Sequence, residues 1–469
     1  MASFGGGTSV LVWLQLVERE LLLFALFWFI LGLLDEAAID LSWAWLRLTG
    51  RTITPRIAVD ALPGPLHGTH AVLIPAWLEA DVIAATVRHL LGAWPQPRLR
   101  VYVGCYRNDP VTLSAAMAGA GGDGRVRLVI HDAEGPTTKA DCLNRLYAAL
   151  ADDEARSGRA FAGVILHDAE DMVHPLALPL IDAALTEVDF VQLPVRPEPQ
   201  AGSRWVAGHY CDEFAEAHAK ALVVRDALGA AIPAAGVGCG FSRPMLARVA
   251  EERVGAGEAG PFAAECLTED YELGLIVARA NGRSRFLRCR DAGGALIATR
   301  AYFPGGLDEA VRQKTRWTHG IALQGWDRLG WHGRPLEVWM ALRDRRGLLA
   351  ALVLAVAYVL VVVEGVLALA HRLGWARPLA PSPLVDTLLW VTFAGFMMRA
   401  AARLVFTGHE YGWREGIRAV LRIPTANLIA IVSGRRALAA YLASLRSGTV
   451  TWDKTVHRLH PARLQESAA

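Results

Sequence analysis

The sequence predicts an α/β domain held between transmembrane α-helices, and three observations carry that prediction. Hydrophobic residues make up 53% of the 469 and charged residues only 20%, with a mean hydropathy of +0.28. That balance is too apolar for an ordinary soluble enzyme and too charged for a chain made only of spans. Between His70 and Trp339, short β-rich runs alternate with helical ones, and Leu348 to Ala370 is apolar but for Glu364. At about 1.5 Å per residue the last run is long enough for a hydrocarbon core of roughly 30 Å.

At the N-terminus, Leu21 to Leu34 is a marginally long apolar run, separated from Val10 to Val17 by Glu18-Arg19-Glu20. It reads as a slightly polar first span within a segment 1–60. Arg19 is the first basic residue and no small-x-small cleavage site follows, so the segment is expected to stay attached rather than act as a signal peptide. Basic residues collect at Arg47, Arg51 and Arg56 and again at Arg343, Arg345 and Arg346. The positive-inside rule then puts the middle of the chain, 61–340, in the cytoplasm.

That middle runs AVLIPAW, a helical Asp81 to Leu91, RLRVYVGC, a helical Ser114 to Gly119, RVRLVIHD, a helical Lys139 to Leu150, GVILHDAE and DFVQLPV. Strands alternating with helices give an open α/β sheet, whose ligands sit beyond the carboxyl ends of the strands. Six cysteines without a CxxC pair or zinc-like spacing read as reduced cytoplasmic thiols. A net charge of +2, with only four lysines, excludes a polybasic nucleic-acid surface.

Leu384 to Phe406 follows the breaker Pro-Leu-Ala-Pro-Ser-Pro, meets Arg399 and Arg403, and completes a transmembrane hairpin in segment 341–410. In 411–469, Ile417 to Tyr441 is broken by Pro424 and Asn427 and ended by Gly434-Arg435-Arg436. Here an interfacial or re-entrant helix competes with a further span.

The chemistry-bearing residues follow the strands. His167-Asp168-Ala169-Glu170-Asp171 masses carboxylates where a buried strand meets a loop, which suits a hard divalent cation such as Mg²⁺ or Mn²⁺ completed by substrate phosphates. Alone, such a DxE is more often a solvated acidic turn than a metal site. Thr268-Glu269-Asp270 opens an apolar helix, and on its own it also reads as a cap with acids serving the helix dipole. Gln313-Lys314-Thr315-Arg316-Trp317 ends a helical stretch and brings an amide, a guanidinium and an indole together, a trio suited to diphosphate and sugar.

With Pro75-Ala76-Trp77-Leu78-Glu79, these motifs stand in the order found in glycosyltransferase family 2, which the chain resembles over about 250 residues. The wording of GPTTKADCLN, HDAEDMVHP, WVAGHYCDEFAEAHAK and WDKTVH resembles an inner-membrane branch of that family over nearly the whole chain. Members of that branch often continue into a regulatory domain that binds a cyclic dinucleotide; with the sequence ending at Ala469, no such regulator is expected.

The resemblance implies a GT-A domain with a Rossmann-like mixed sheet, a nucleotide-sugar donor of UDP type, a divalent metal and inversion at the anomeric carbon. It implies that Asp168 and Glu170 hold the metal and that Asp270 is the general base, with Glu269 structural or acceptor-orienting. Pro75, Glu79, Lys139, Asn144 and Asp168 would lie on the donor. Gly236, Gly238 and Gly240 would approach the acceptor sugar, and Gln313, Arg316 and Trp317 would serve the diphosphate and an acceptor platform. The chain departs from the family by reading VGCYRNDP after its second strand, so Asp109 comes a few positions late for the donor base, and by a DxE in place of DxD.

The expected activity is hexosyl or N-acetylhexosaminyl transfer to a growing exopolysaccharide, with an outer-membrane export partner or a homo-oligomer completing the path. Two alternatives remain: single transfer to a lipid phosphate, and an inactive scaffold for envelope polysaccharide export or phage adsorption.

Overall fold

The computed structural model describes residues 4–58, 62, 64–331, 333–375, 377, 382–447 and 459–462. The WDKTVH stretch at 452–457 and the start of the proline-rich breaker, 378–381, lie outside them.

The centre of the domain is a seven-stranded sheet: β1 (His70–Pro75), β2 (Leu99–Cys105), β3 (Val126–Ile130), β4 (Gly163–Leu166), β5 (Phe190–Gln192), β6 (Cys239–Ser242) and β7 (Ser284–Phe286). Its order is β3-β2-β1-β4-β6-β5-β7. β1, β2, β3 and β4 run parallel, and β6 lies antiparallel to both β4 and β5. β1 reads as one continuous apolar run because it is covered on both sides. Val72 and Ile74 pack into the core beneath helices Ile83–Ala93 and Pro110–Ala120. Ala71 and Leu73 pack into the opposite core with helix Lys139–Ser157.

The helices of the membrane part are longer than the apolar runs suggest. Glu18-Arg19-Glu20 does not interrupt the first helix, which is continuous over Phe4–Leu48. Its 45 residues span about 68 Å. Among the described residues, four helices are long and apolar enough to cross a membrane: Val10–Leu48, Gly347–Arg372, Pro383–Tyr411 and Ile423–Ser447. The segment left open between an interfacial helix and a further span contains both a short amphipathic helix, Trp413–Leu421, and the long helix Ile423–Ser447.

Ion pairs fasten the domain to the first helix. Asp35 meets Arg343 and Arg346, and Glu36 meets Arg343, Arg346 and Arg399. Asp40 meets Lys220 and Arg399, while Glu216 joins Lys220 to Arg399. Four acids and four bases thus neutralise one another in a largely enclosed clasp. A second tie sets Glu410, at the end of helix Pro383–Tyr411, against Arg196, Arg288 and Arg290.

Candidate active site

A cavity of about 350 Å³ opens at the carboxyl ends of β1 and β4, where an open α/β sheet places its ligands. Pro75 closes β1 at its rim, with Glu79 in the following turn. Two residues beyond β4, Asp168 faces the cavity, and Glu170 shares its wall. Asp171 braces this loop: its Oδ2 accepts from the Asp168 amide at 2.9 Å and pairs with His167 Nδ1 at 2.8 Å.

Lys139 enters because it is the first residue of its helix. The Thr138 hydroxyl accepts from the Asp141 amide and the Asp141 carboxylate accepts from the Thr138 amide, a capping box that fixes where the helix starts. From there Lys139 Nζ reaches Asp168 Oδ1 at 2.6 Å. Burial disfavours the ammonium, but Asp168, Glu269 and Asp270 outweigh it and hold its pKa above the ordinary range.

Glu269 and Asp270 come from the first turn of helix Glu269–Arg279, whose free backbone amides favour negative charge. Asp270 Oδ1 accepts from the Tyr271 amide at 2.7 Å. Burial pushes the Asp270 carboxyl upward and the nearby Asp168 charge adds to it, while Lys139 and Arg316 pull it down. Burial, then repulsion from Asp270, likewise raises Glu269, whose Oε1 is buried without a hydrogen-bond partner among the described residues. Beneath them lies Gly236, with φ +74°. A β-carbon there would overlap Asp270 Oδ2 and approach Lys139 Nζ to 3.1 Å. Only glycine lets this loop pass under the carboxylate.

Gln313, Arg316 and Trp317, from helix Leu307–Trp317, line the opposite wall. The Trp317 ring packs on Tyr210, Phe214 and Phe303. Lys314 lies 5.0 Å over it, charge-balanced by Glu213.

The structure therefore brings Pro75, Glu79, Lys139, Asp168, Glu170, Glu269, Asp270, Gln313, Arg316 and Trp317 to one cavity. Four other expected site residues serve elsewhere. Asp109 caps helix Pro110–Ala120 by accepting from the Thr112 amide, and also takes the Leu78 amide at 2.6 Å. Asn144 grips Phe262 through both its amide nitrogen and oxygen, at 2.8 and 3.0 Å. Gly240 is a strand residue between Ile165 and Val191, and a β-carbon there would run into Ile181 of the core. Gly238, with φ +59°, abuts Thr299, so it shapes the loop behind the cavity wall.

Several lining residues escape the motif reading. Tyr106 follows β2 directly, stacks on His131 with centroids 5.1 Å apart, meets the edge of Trp77, and bonds Thr137 through its hydroxyl at 2.7 Å. Its place just past a strand end was the available signal. Gln192 holds the 235–238 loop, accepting from the Ala235 amide and donating to the Val237 carbonyl. His218 lies in a π-helical turn, 217–221, which no periodicity reveals.

The donor set suits a hard divalent cation that takes one or two carboxylates and completes its shell from substrate. Asp168 and Glu170 supply two carboxylates in one wall. Among the described residues no group of three or more His, Cys, Asp or Glu side chains forms a complete protein cage.

Residues 67–320 match the family described as Glycosyltransferase like family 2. The chain belongs to this family. Its sheet and flanking helices are the GT-A fold, and the protein is a membrane-associated member. It is 32% identical over 473 residues to bacteriophage adsorption protein B of Escherichia coli K12, covering 95% of this chain and 62% of the relative. The same figures hold for bacteriophage N4 adsorption protein B of Escherichia coli O157:H7. The chain thus spans under two thirds of the length of these relatives.

Among solved structures, a mannosyltransferase from Pyrobaculum calidifontis in complex with GDP-Man and Mn²⁺ is 17% identical with a TM-score of 0.49, over 86% of this chain and 99% of that one. Glucosyl-3-phosphoglycerate synthase of Mycobacterium tuberculosis is 18% identical with a TM-score of 0.32, over 55% of this chain and 80% of that one.

Proposed function

We propose that the protein is a multi-pass inner-membrane inverting glycosyltransferase that moves a sugar from a nucleotide-diphosphate donor to a growing glycan, with its catalytic domain, 61–340, in the cytoplasm. One observation carries the reading: Asp168 and Asp270, about a hundred residues apart in sequence, meet around Lys139 in one cavity large enough for substrate. The flanking arginines and the six free, buried cysteines support the cytoplasmic side.

In this mechanism Asp270 accepts the proton of the acceptor hydroxyl as its oxygen attacks the anomeric carbon. Burial gives the carboxylate the basicity this requires. The bond from that carbon to the diphosphate oxygen breaks on the opposite face, so configuration inverts. Lys139 and Arg316 meet the charge that develops on the diphosphate. Asp168 and Glu170 would hold a Mg²⁺ or Mn²⁺, which when bound supplies further neutralisation of the leaving group. Tyr106 and Trp77 offer aromatic faces and edges at the donor end, and Trp317 offers a platform for an acceptor sugar. Glu269, adjoining the base, orients the acceptor. A second copy or an export partner would complete an exit path that few helices wall.

The test is release of nucleoside diphosphate from a panel of nucleotide sugars, UDP-linked donors first, by membranes carrying wild type or Asp270→Asn. Wild type should turn over one donor and the substituted protein should fall by about 10²- to 10⁴-fold while still inserting. Equal turnover would remove Asp270 as the base. Sizing the labelled product separates a ladder of oligomers, as expected of polymerisation, from one glycolipid formed by a single transfer.

A further inference from the structure

Away from the catalytic cavity, a second one of about 260 Å³ lies between helix Val206–Glu216 and the turn after helix Pro383–Tyr411. Its walls include Gln200, Arg204, Tyr411, Glu415, Arg418 and Arg422. Three guanidiniums therefore face a single carboxylate. Arg422 is fully engaged, holding both oxygens of the buried Asp212 at 2.9 and 2.7 Å and Glu415 Oε2 at 2.9 Å. Arg418 takes the other Glu415 oxygen with one of its five donors, and the rest make no hydrogen bond among the described residues. Arg204 is exposed, and its side chain makes no hydrogen bond or ion pair among the described residues. Both Glu415 oxygens are taken and Asp212 is committed behind Arg422, so positive charge remains unmatched at the mouth. Arg403 also lies close enough to act on Asp212.

The neighbouring helix says what kind of anion fits. Trp413, Ile417 and Leu421 recur every fourth residue on helix Trp413–Leu421 and are 68%, 44% and 59% exposed. Arg414 and Arg418 stand beside it at the same spacing, while Arg422, next in that row, is buried against Asp212. An apolar stripe beside a basic one suits a helix lying in the membrane interface. A basic cavity opening beside such a helix matches an anion that carries an apolar tail.

We propose that this cavity binds the phosphate of an anionic phospholipid headgroup, with Arg204 and Arg418 as its donors and the acyl chains running along the Trp413, Ile417 and Leu421 stripe. The site is separate from the transfer chemistry, and its test does not depend on that chemistry.

The full chain is reconstituted in phosphatidylethanolamine vesicles containing phosphatidylglycerol, extracted in mild detergent, and the retained lipid is counted by native mass spectrometry. Wild type should keep phosphatidylglycerol in preference to phosphatidylethanolamine. Arg204→Gln, which removes no side-chain hydrogen bond or ion pair among the described residues, should keep at least about tenfold less, as expected for a hydrogen bond to a charged phosphate worth about 1.5 kcal/mol. Arg414→Gln, on helix Trp413–Leu421 but outside the cavity, should lose only the smaller share of general surface attraction and keep clearly more lipid than Arg204→Gln. Equal retention by Arg204→Gln and Arg414→Gln would overturn the site. Displacement of the lipid by inorganic phosphate as effective as by added phosphatidylglycerol would overturn the lipid assignment, because the tail would then contribute nothing.

Discussion

Substituting Gly236 by alanine separates the two roles that the loop under Asp270 plays. The first effect is on the backbone: at φ +74° an L-residue is disfavoured by roughly 1–2 kcal/mol. The second is a collision, since the new methyl would overlap Asp270 Oδ2. Restoring van der Waals contact requires the carboxylate to move by about 1 Å, and a displacement of that size from productive geometry lowers turnover by about 10²-fold. Gly229 provides the matched control. Its φ is +67°, yet nothing lies within 4 Å of a β-carbon built there. Gly229→Ala and Gly236→Ala should therefore lower the apparent melting temperature of the solubilised protein by similar small amounts, a few degrees in each case. Only Gly236→Ala should lose nucleoside-diphosphate release, by about a hundredfold. The reasoning fails if the two variants turn over alike, for then Asp270 either tolerates the shift or is not the group that matters.

Further outcomes follow from the same geometry. Lys139→Gln removes the ammonium shared by Asp168, Glu269 and Asp270, so the KM for the nucleotide sugar should rise at least about tenfold; an unchanged KM would place the donor elsewhere. Arg422→Met strands Asp212, whose carboxyl burial already pushes up to about 6, and should destabilise the protein by about 3–5 kcal/mol, read as lost yield and an earlier thermal transition. Arg422→Met combined with Asp212→Leu should recover much of that loss. His209 and His218 are held neutral chiefly by burial, at about 4 and about 3, whereas an unfolded chain protonates them near 6.5. The unfolded state then binds more protons below pH 6.5, so stability falls as pH drops from there toward those lower values, at up to about 1.4 kcal/mol per pH unit for each histidine. His218→Asn keeps an acceptor for the Val195 amide, which His218 Nδ1 now takes at 2.9 Å, and should flatten this acid slope.

What was legible in the sequence was whatever chemistry is local. β1 and β4 declared themselves because strands covered on both faces must be apolar throughout, and Asp168 and Glu269-Asp270 because acids at a strand end and a helix start stand out against that background. Other features depend on partners far along the chain. The antiparallel β6 is only Cys-Gly-Phe-Ser, and nothing in those four residues announces pairing with β4 and β5, so Gly240 looked like part of a loop. Asn144 matched a motif position, yet its amide is consumed by Phe262. Asp109 falls near the donor-base position of the family, yet its place one residue before Pro110 marks a helix cap. In the membrane part, charge at Glu18-Arg19-Glu20 suggested a break, but three polar residues do not end a helix whose flanks both favour it.

The clasp between the first helix and the rest of the molecule has a consequence for how the chain matures. Asp35, Glu36 and Asp40 leave the ribosome some three hundred residues ahead of Arg343, Arg346 and Arg399, so during synthesis the early acids wait for counter-charges not yet made. The domain in between can fold meanwhile, but its seating on the first helix is completed only when the later arginines arrive. For the same reason a fragment restricted to 67–320 would carry Glu216 and Lys220 stripped of their outer neighbours. Such a piece is expected to be less soluble and more prone to self-association than the complete polypeptide.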